Sequence, residues 1–547
     1  MKVSELLVAS LETYGVKRIY GLAGTSILDL MDALSRSKIR YISTRHEQVA
    51  VSMADAEGRV TGNPGIAFVH GGPGFLNSLV SLTNAWKDGS PMLLVAGAVR
   101  RRMLGMDSWL EVPQAEMVRS VVKGSWRIEN GSEAPPGIAE AYSLASSSPK
   151  GPVYLEVPDD VWSQETVGDI ETLPTEKASE VDQKAVLNVA AAMAKADKPL
   201  VVVGGGINSP VGSLALSKLL SRAEVPVIST GNGRGSVAED YPMSLGRMGF
   251  GGLRVADAAL AQADVIICLG CGLSDVSTFG FNSTPKGEVY AVNMDPIWDK
   301  KPVPYALHAD CDAAAFVEEL SRVVWVELKD DWKSRIEKER RAWRMVLGEA
   351  ETRHKEGYVN PARFLASLDR LLPRDAILAV GQGLHQVYAY ACLKVRSNRS
   401  FMAATNMGSM GFVFPAILGA KMAYPKREVL GVMGDGEFMM TVQDMETAVR
   451  EKIGAKIVVV NDNSYRVLLM RQKIQKMGRI FGTLHTNPDM ANLAEDFGAR
   501  GMVVDSDEEV EEAVEFITQE SNVPLLLELR IDPEDLPPIN IQGSLMF

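Results

Sequence analysis

Cysteine is scarce in this 547-residue chain, and the four that occur are too few for a disulfide framework. Two of them, Cys268 and Cys271, form a C-x-x-C pair. The surrounding segment VIICLGCG predicts a buried strand that runs into a turn, and no second cysteine pair or histidine cluster accompanies it. We therefore interpret these cysteines as reduced core residues, which are typical of a cytosolic protein.

Long apolar runs are also missing, and so is an excess of positive charge. No stretch of about 18 apolar residues is present that could span a membrane. The first residues, MKVSELLVASLETYGV, include Glu5 and Glu12 and lack the apolar core and cleavage site of a signal peptide. The net charge of −12 argues against nucleic acid or an anionic membrane as a partner, although a small anionic ligand is compatible with it. We expect a cytoplasmic protein.

Short apolar strands alternate with helical stretches in three successive blocks. The length favours about three domains, and the alternation is typical of α/β domains with doubly wound parallel sheets. The expected domains cover residues 1–163, 184–326 and 357–547. The acidic stretch 163–183 is interpreted as a linker, and the charged stretch 329–357 as a solvated helix between domains.

The expected strands are apolar segments that are buried on both faces of their sheets. They are RIYGL, GIAFVH, PMLLVAG and GPVYLEVP in the first block, PLVVVGGG, VPVIST, ADVIICLG and GEVYAVNMD in the second, and AILAV, REVLGVMG, AKIVVVND and VPLLLELR in the third.

The strongest chemical signal lies in the third block. The strand EVLGVMG leads into Gly434-Asp435-Gly436, and the strand KIVVV ends at the segment NDNSY, which contains Asp462. The two aspartates are 27 residues apart, so one strand–helix–strand unit would bring them to the same edge of a parallel sheet. Carboxylate oxygens there suit Mg²⁺. Gly434 and Gly436 would let the backbone approach a diphosphate, with amide donors from a helix N-terminus. The alternative is two unrelated strand-end turns.

This pair of segments resembles the GDG…NN motif with which thiamine-diphosphate enzymes bind metal and diphosphate. The resemblance implies that Asp435 and Asp462 are side-chain ligands of the metal, with the Ser464 carbonyl as a third ligand. It also implies a set of cofactor-binding residues in this block: Gly434, Asp435, Gly436, Glu437, Asp462 and Tyr465.

Two positions depart from the family pattern. The family usually has Asn where Asp462 stands and often Ser where Glu437 stands. An aspartate keeps the oxygen ligand but adds negative charge beside a diphosphate, which tight metal binding would have to offset. Asn461 and Asn463 are therefore alternatives for the second ligand.

A second resemblance is in the first block, where Arg45-His46-Glu47-Gln48 is similar to the HEQ-type segment of the same family. The implied role of Glu47 is to bind N1′ of the cofactor pyrimidine. That bond favours the imino form, whose 4′ nitrogen removes the C2 proton to give the nucleophilic ylide. Such a glutamate works best when it is buried. The alternative is an exposed glutamate at a helix start.

Two further segments of the third block resemble the family. TNMGSMGFVFPAILGAKMA matches a segment in which an apolar residue holds the cofactor in a V shape, which implies that role for Met410 and a carbonyl acceptor at Gly408. Met410 as a core residue is the alternative. The loop GQGLHQ resembles a diphosphate loop and implies that Gly383 and His385 contact phosphate; a strand-end loop without a ligand is the alternative.

The family order of these segments implies three domains: a pyrimidine-binding, a central and a diphosphate-binding domain. In such enzymes the cofactor lies between the first domain of one subunit and the third domain of another. Glu47 and Asp435 would then meet only in a dimer. A homodimer at least is implied, and a homotetramer is expected.

The reaction is less clearly indicated. His70 and Thr25 match residues of benzoylformate decarboxylases near the substrate carboxylate, whereas the central domain resembles that of acetolactate synthases. Trp109, Leu110 and Tyr465 are expected at the pocket wall. FAD is not expected, because the turn that bears arginines in the synthases reads GCGLSDV here.

We expect a thiamine-diphosphate and Mg²⁺ dependent 2-oxo acid decarboxylase or carboligase. It would be benzoylformate-decarboxylase-like and act through a ylide and an enamine, with Glu47, His70 and Thr25 as catalytic residues. The substrate would be a small 2-oxo acid. The alternatives are acetolactate synthase and a non-catalytic cofactor-binding subunit.

Overall fold

The computed structural model describes residues 1–174, 179–294 and 300–538. Within these residues the chain forms three parallel sheets of six strands each, which confirms the expected α/β class. The described residues of Met1–Lys177, Asn406–Pro425 and Met440–Ile453 form one compact unit. Those of Ala178–Thr405, Lys426–Met439 and Gly454–Phe547 form the other.

The first sheet has the strand order β2-β1-β3-β4-β6-β5. Its strands are β1 Arg18–Gly21, β2 Arg40–Ser43, β3 Gly65–Val69, β4 Met92–Ala98, β5 Ser125–Arg127 and β6 Pro152–Pro158. The accompanying helices are α1 Val3–Thr13, α2 Leu28–Ser35, α3 Glu47–Thr61, α4 Pro73–Asp88, α5 Gln114–Val118 and α6 Ala134–Ser146.

The second sheet has the order β12-β11-β10-β7-β8-β9. Its strands are β7 Pro199–Val203, β8 Val227–Ser229, β9 Ser244–Arg247, β10 Val265–Leu269, β11 Glu288–Val292 and β12 Leu307–Ala309. The helices of this part are α7 Gln183–Lys195, α8 Pro210–Leu220, α9 Arg254–Gln262, α10 Ala313–Val323 and α11 Asp330–Glu351.

The third sheet has the order β14-β13-β15-β16-β18-β17. Its strands are β13 Ile377–Val380, β14 Phe401–Met402, β15 Val429–Gly434, β16 Lys456–Asn461, β17 Arg500–Val504 and β18 Leu525–Arg530. The helices are α12 Pro361–Leu371, α13 Leu384–Cys392, α14 Val413–Ala423, α15 Asp435–Phe438, α16 Met445–Arg450, α17 Arg466–Gln475, α18 Met490–Asp496 and α19 Val510–Thr518.

Each sheet has a point where the chain, having added strands on one side, continues on the other: between β1 and β3, between β7 and β10, and between β13 and β15. At such a switch point the chain leaves two neighbouring strands toward opposite sides and opens a crevice in which α/β proteins bind ligands. The first and third sheets therefore each offer a crevice beside candidate residues, since His70 follows β3 and Asp435 follows β15.

The expected strands are the four interior strands of each sheet, and the sequence prediction missed both edge strands of all three. Interior strands such as β4 are buried along their whole length and give continuous apolar runs. The edge strands are short or partly exposed. β14 has two residues, and only one of the four residues of β2 is buried. The predicted segment GEVYAVNMD ends at Asp295, which lies outside the described residues.

Three other expectations can be compared with the fold. All four cysteines are buried and none forms a disulfide among the described residues, which confirms their interpretation as core residues. The charged stretch after the central block is helix α11, but it is not fully solvated, because Trp332, Ile336 and Trp343 are buried. The linker expected at 163–183 contains residues 175–178, which lie outside the described residues, as do the last residues of the third expected domain, 539–547.

No helix among the described residues is both long enough and apolar enough to cross a membrane.

Helices α3 and α4 share a buried ionic network. The guanidinium of Arg59 pairs with Asp55 through Nε and Oδ1 at 2.7 Å and with Asp88 through Nη1 and Oδ2 at 3.0 Å. Asn84 Nδ2 donates to Asp55 Oδ2 at 3.0 Å. Buried charges of this kind are tolerated because each one is paired and hydrogen-bonded.

The same network holds the segment that precedes α14. Asp88 Oδ1 accepts hydrogen bonds from the backbone N and the Nδ2 of Asn406, at 3.1 and 2.7 Å. Ser409 Oγ donates to Asn84 Oδ1 at 3.3 Å. The guanidinium of Arg59 lies 5.0 Å from the ring centre of Phe412. Segment 406–412 is thereby tied to the first sheet's helices.

We expect Asp88→Ala to lower the free energy of unfolding by roughly 3–5 kcal/mol, because it leaves buried partners without their acceptor. Asp159→Ala is the control, since Asp159 pairs with Arg100 at the surface and should change stability little. Guanidinium denaturation followed by circular dichroism measures both. Equal stability of the two variants would contradict the structural role of the network.

Candidate functional site

Glu47 is the first residue of α3, at a helix start that His46 caps by accepting a hydrogen bond from Gln48 N. The glutamate is only 7% exposed, and its Oε2 accepts a hydrogen bond from Asn77 Nδ2 at 3.0 Å. A Cβ at Gly74 would lie 3.0 Å from Glu47 Oε1, so the glycine leaves room for the carboxylate. Glu47 is therefore buried, not exposed, at its helix start.

His70 lies at the switch point of the first sheet, where Ser26 approaches it from the end of β1. Ser26 Oγ is 2.8 Å from His70 Nδ1. A Cβ at Gly74 would be 3.2 Å from His70 Cβ, so His70 and Glu47 border the same glycine. Burial lowers the pKa of His70, and the Glu47 carboxylate opposes that shift. Thr25 is exposed, and its neighbour Ser26 makes the contact with His70 instead.

The two expected pocket-wall residues of the first domain differ in their surroundings. Trp109 is 77% exposed in this chain. Leu110 has a positive φ of 70°, and its carbonyl O would lie 2.5 Å from a Cβ at Gly72. Leu110 therefore packs against the turn that follows His70, whereas the side chain of Trp109 is largely exposed.

The segment with Gly408 and Met410 lies in the same compact unit as α3. Gly408 is exposed with a φ of +70°, and Met410 is partly buried. A Cβ at Gly411 would be 3.1 Å from Gln48 Nε2. Within one chain, the segment expected to support the cofactor thus lies next to Gln48, the residue after Glu47.

Three oxygens converge on one nitrogen at the switch point of the third sheet. Asn487 Nδ2 lies 2.8 Å from Asp435 Oδ2, 3.2 Å from Asn461 Oδ1 and 3.0 Å from Asn463 Oδ1. His485 Nε2 also lies 3.0 Å from Asp435 Oδ2. An amide nitrogen has two hydrogens, so it cannot fully satisfy three acceptors. Such a surplus of hard oxygen atoms around one point suits a Mg²⁺ ion.

Asp462 is differently engaged. Its Oδ1 accepts hydrogen bonds from the backbone N and Oγ of Ser464 at 3.1 and 2.7 Å, and its Oδ2 pairs with Arg466 Nη1 at 3.2 Å. Burial raises the pKa of Asp462, while Arg466 acts to lower it. The structure brings Asp462 and Ser464 together but brings Asn461 and Asn463, rather than Asp462, to the nitrogen that Asp435 binds. Arg466 offsets the extra negative charge of this aspartate.

His385 fills the crevice between β13 and β15. Its ring would be 2.6 Å from a Cβ at Gly383 and 3.0 Å from a Cβ at Gly434, so both glycines are needed for the ring to fit. Burial lowers the pKa of His385 to about 4, which keeps the ring neutral at neutral pH. Its Nε2 is buried and has no hydrogen-bond partner among the described residues. A buried unpaired nitrogen of this kind points to a missing ligand or water.

Two more expected residues border this crevice. Glu437 is buried and accepts a hydrogen bond from Gln382 N at 2.9 Å. The ring of Tyr465 would be 2.6 Å from a Cβ at Gly436, which explains the glycine there. Helix α15 has only four residues, so the expected amide donors of a longer helix N-terminus are reduced to one turn.

The residues of the third domain fit thiamine diphosphate and Mg²⁺. The oxygen cluster around Asn487 suits the cation, and the glycines at the strand ends together with the unpaired His385 nitrogen suit a diphosphate. Among the described residues, no three His, Cys, Asp or Glu side chains form a metal-binding group. The cation position therefore relies on amide oxygens in addition to the carboxylate of Asp435.

Sequence reasoning missed five residues that the structure places at these sites: Ser26, Asn77, Arg466, His485 and Asn487. Arg466 could have been found, because it stands four residues after Asp462 at a helix start, the spacing of an ion pair. Ser26 was adjacent to the chosen Thr25. Asn77, His485 and Asn487 belong to no recognised motif and become visible only through their contacts.

Family models match the chain in three consecutive parts. The model described as thiamine pyrophosphate enzyme, N-terminal TPP binding domain, matches residues 1–120. The central-domain model of the same enzymes matches residues 186–320, and the C-terminal TPP binding domain model matches residues 381–529. The three matches follow the order of the three sheets.

Similar proteins extend over nearly the whole chain. The probable acetolactate synthase large subunit of Methanocaldococcus jannaschii is 29% identical over 566 residues, covering 100% of this chain and 94% of that protein. The acetolactate synthase isozyme 2 large subunit of Escherichia coli is 29% identical, with 97% and 96% covered. The acetolactate synthase large subunit of Haemophilus influenzae is 28% identical, with 99% and 97% covered.

The geometry predicts that Asn463→Ala weakens Mg²⁺ binding about 10–100-fold, because it removes one of the converging oxygens. Asp462→Ala combined with Arg466→Ala should lower the affinity less, since it removes a buried pair together and leaves the oxygens around Asn487 in place. Calorimetric titration with Mg²⁺ at saturating thiamine diphosphate measures both, and the exposed Asn492→Ala serves as control. Loss of affinity in the double variant, with Asn463→Ala unaffected, would instead identify Asp462 as the ligand.

Proposed function

The chain belongs to the thiamine pyrophosphate enzymes, and on this premise we propose that it joins two 2-oxo acid molecules with loss of carbon dioxide, as an acetolactate synthase. The observation that carries the proposal is the likeness to acetolactate synthase large subunits along nearly the whole chain. These relatives favour the synthase alternative over the benzoylformate-decarboxylase-like function that the first-block residues suggested.

When bound, thiamine diphosphate with Mg²⁺ supplies a carbon nucleophile and an electron sink for the loss of carbon dioxide. The chain's own residues would hold it at two places. Asp435 and Asn463, with Asn461, Asp462 and Ser464 as further candidates, would bind the cation. His385 and the glycine-rich strand ends would border the diphosphate, with the buried His385 nitrogen as a donor.

Glu47 would hold the proton at the pyrimidine end of the cofactor. Its burial keeps water from the carboxylate, and the amide of Asn77 fixes the position of Oε2. Preorganisation of this kind is effective because the acid does not have to reorient before it acts. Met410, carried by a segment that is hydrogen-bonded to α4, would support the cofactor with its apolar side chain.

The pocket for the substrate would lie at the switch point of the first sheet. His70 borders the same glycine as Glu47 there, and Ser26 contacts His70; Thr25 and Leu110 would stand at the edge of this pocket. We propose a small 2-oxo acid as the substrate, because a neutral histidine and backbone amides can bind its carboxylate or keto oxygen. Decarboxylation to an aldehyde is the second candidate function, because His70 matches a residue of benzoylformate decarboxylases.

We also propose the domain limits 1–163, 184–326 and 357–547, and an assembly of at least two chains, with a homotetramer expected. The family matches lie within these limits. FAD is not part of the proposal. At the switch point of the central domain, Gly206 N donates to Gly270 O at 3.0 Å, so the glycine turn there is bonded to the chain itself.

The proposed reaction is tested by incubating the enzyme with pyruvate, thiamine diphosphate and Mg²⁺ and measuring acetolactate against acetaldehyde. Acetolactate is the expected main product. Acetaldehyde alone would support the decarboxylase, and no product from a panel of 2-oxo acids would contradict both functions.

Glu47→Gln should lower kcat by about 10²–10⁴-fold, the usual effect of removing a proton-transferring group. The matched control is Glu140→Gln, which changes an exposed glutamate on α6. Full turnover by Glu47→Gln would contradict the proposed role of Glu47.

Size-exclusion chromatography with light scattering should give a molar mass of at least twice the 59.3 kDa of one chain.

A further inference from the structure

The backbone N–H of Ser26 fixes the direction of the hydrogen bonds at His70 Nδ1. Gly71 N donates to Ser26 Oγ at 2.9 Å, and a backbone N–H can only donate. Ser26 Oγ keeps a second lone pair as well as its hydrogen, so its 2.8 Å contact with His70 Nδ1 has no fixed direction of its own. The backbone N of Ser26 donates to the same Nδ1 at 3.3 Å. Nδ1 thus receives two donors.

This arrangement settles which ring nitrogen carries the proton. A neutral imidazole has one N–H and one acceptor nitrogen. Because Nδ1 is the acceptor, the hydrogen of His70 is on Nε2. A second proton on Nδ1 would face the N–H of Ser26, which cannot turn away, so the geometry also disfavours the charged ring.

Electrostatics around the ring act in the same direction. Burial lowers the pKa of His70, and Glu47 is the charged group that acts against this shift. The pKa stays below the ordinary value of histidine in spite of that carboxylate. At neutral pH the ring is therefore uncharged, and no hydrogen bond from Nε2 to another described residue is present.

We propose that His70 is a fixed, neutral hydrogen-bond donor through Nε2 and that Ser26 is the positioning residue that holds it in this state. The ligand class is an oxygen that carries or gains negative charge, such as the carboxylate or keto oxygen of a 2-oxo acid. The proposal rests on the function proposed above and assigns to His70 a role different from proton transfer.

The role has a consequence for the product. Both routes lose carbon dioxide and consume one proton per turnover. In the aldehyde, that proton ends on the former keto carbon. When a second 2-oxo acid is attacked instead, a carbon–carbon bond forms there and the proton ends on the new hydroxyl oxygen. A neutral Nε2–H stabilises the developing oxygen anion but cannot give its proton to carbon, since that would leave an imidazolate. Ligation is thereby favoured.

Two substitutions separate a donor from an acid. Glutamine offers an N–H near the position of Nε2 but cannot become charged, so His70→Gln should keep kcat within about tenfold of the wild type, whereas His70→Leu should lose about 10²–10³-fold, the effect of removing one oxyanion donor. The pH profile of kcat should have the same shape in wild type and His70→Gln. Equal losses in the two variants, or a limb that disappears in His70→Gln, would overturn the donor role.

The protonation state is measured without turnover by nitrogen-15 NMR of the holoenzyme with labelled histidine. The signal lost in His70→Gln identifies the residue among the six histidines. We expect the neutral Nε2–H form at pH 7 in the wild type, and a shifted Nδ1 signal in Ser26→Ala, which loses the hydroxyl donor but keeps the backbone N–H. A charged ring or an Nδ1–H form in the wild type would overturn the proposal, and an unchanged spectrum in Ser26→Ala would overturn the role of Ser26. Because this measurement is independent of product, it stays decisive even if no 2-oxo acid is converted.

Discussion

The reversal of strand order between β1 and β3 and between β13 and β15 is the constraint on which the candidate sites depend. At each reversal the chain leaves two neighbouring strands in opposite directions, so the residues just after them face each other across a crevice. In the first sheet these residues are Ser26 and His70. In the third sheet they are the glycine loop with His385 and the turn with Asp435. The two members of each pair are far apart in the sequence. They come together because β1 pairs with β3 and β13 pairs with β15.

Buried charge in these crevices is made tolerable by partners that the folded chain supplies. Asp462 would be an isolated carboxylate beside a diphosphate, but Arg466 pairs with it one helical turn later. Asp435 shares the amide of Asn487 with two asparagine oxygens. His385 and His70 stay neutral because burial disfavours their charged forms. The negative charge that Asp462 adds is therefore offset by its neighbour Arg466, as a buried charge requires.

The limits of prediction from sequence follow the same geometry. Interior strands are buried on both faces and can be recognised as apolar runs. Edge strands such as β2 contain polar and half-exposed residues, so the sequence does not predict them. Glu47, Asp435 and the glycines near them could be proposed from sequence because their segments resemble family motifs with one residue type at each of these positions. Asn487 and Asn77 could not, since an asparagine in a loop or a helix has no distinguishing pattern until its partners are known. The choice of Thr25 over Ser26 shows that a motif locates a turn but not which side chain turns inward.

The attachment of segment 406–412 to α4 has a consequence for how the molecule is made. The first sheet and its helices are synthesised early, yet the compact unit to which they belong also contains Asn406–Pro425 and Met440–Ile453. During translation the Asp88 carboxylate and the Asn84 amide must wait for Asn406 and Ser409 while more than 300 further residues are synthesised. The nascent first domain is therefore an unfinished folding unit and a natural client for chaperones until the distant segment arrives.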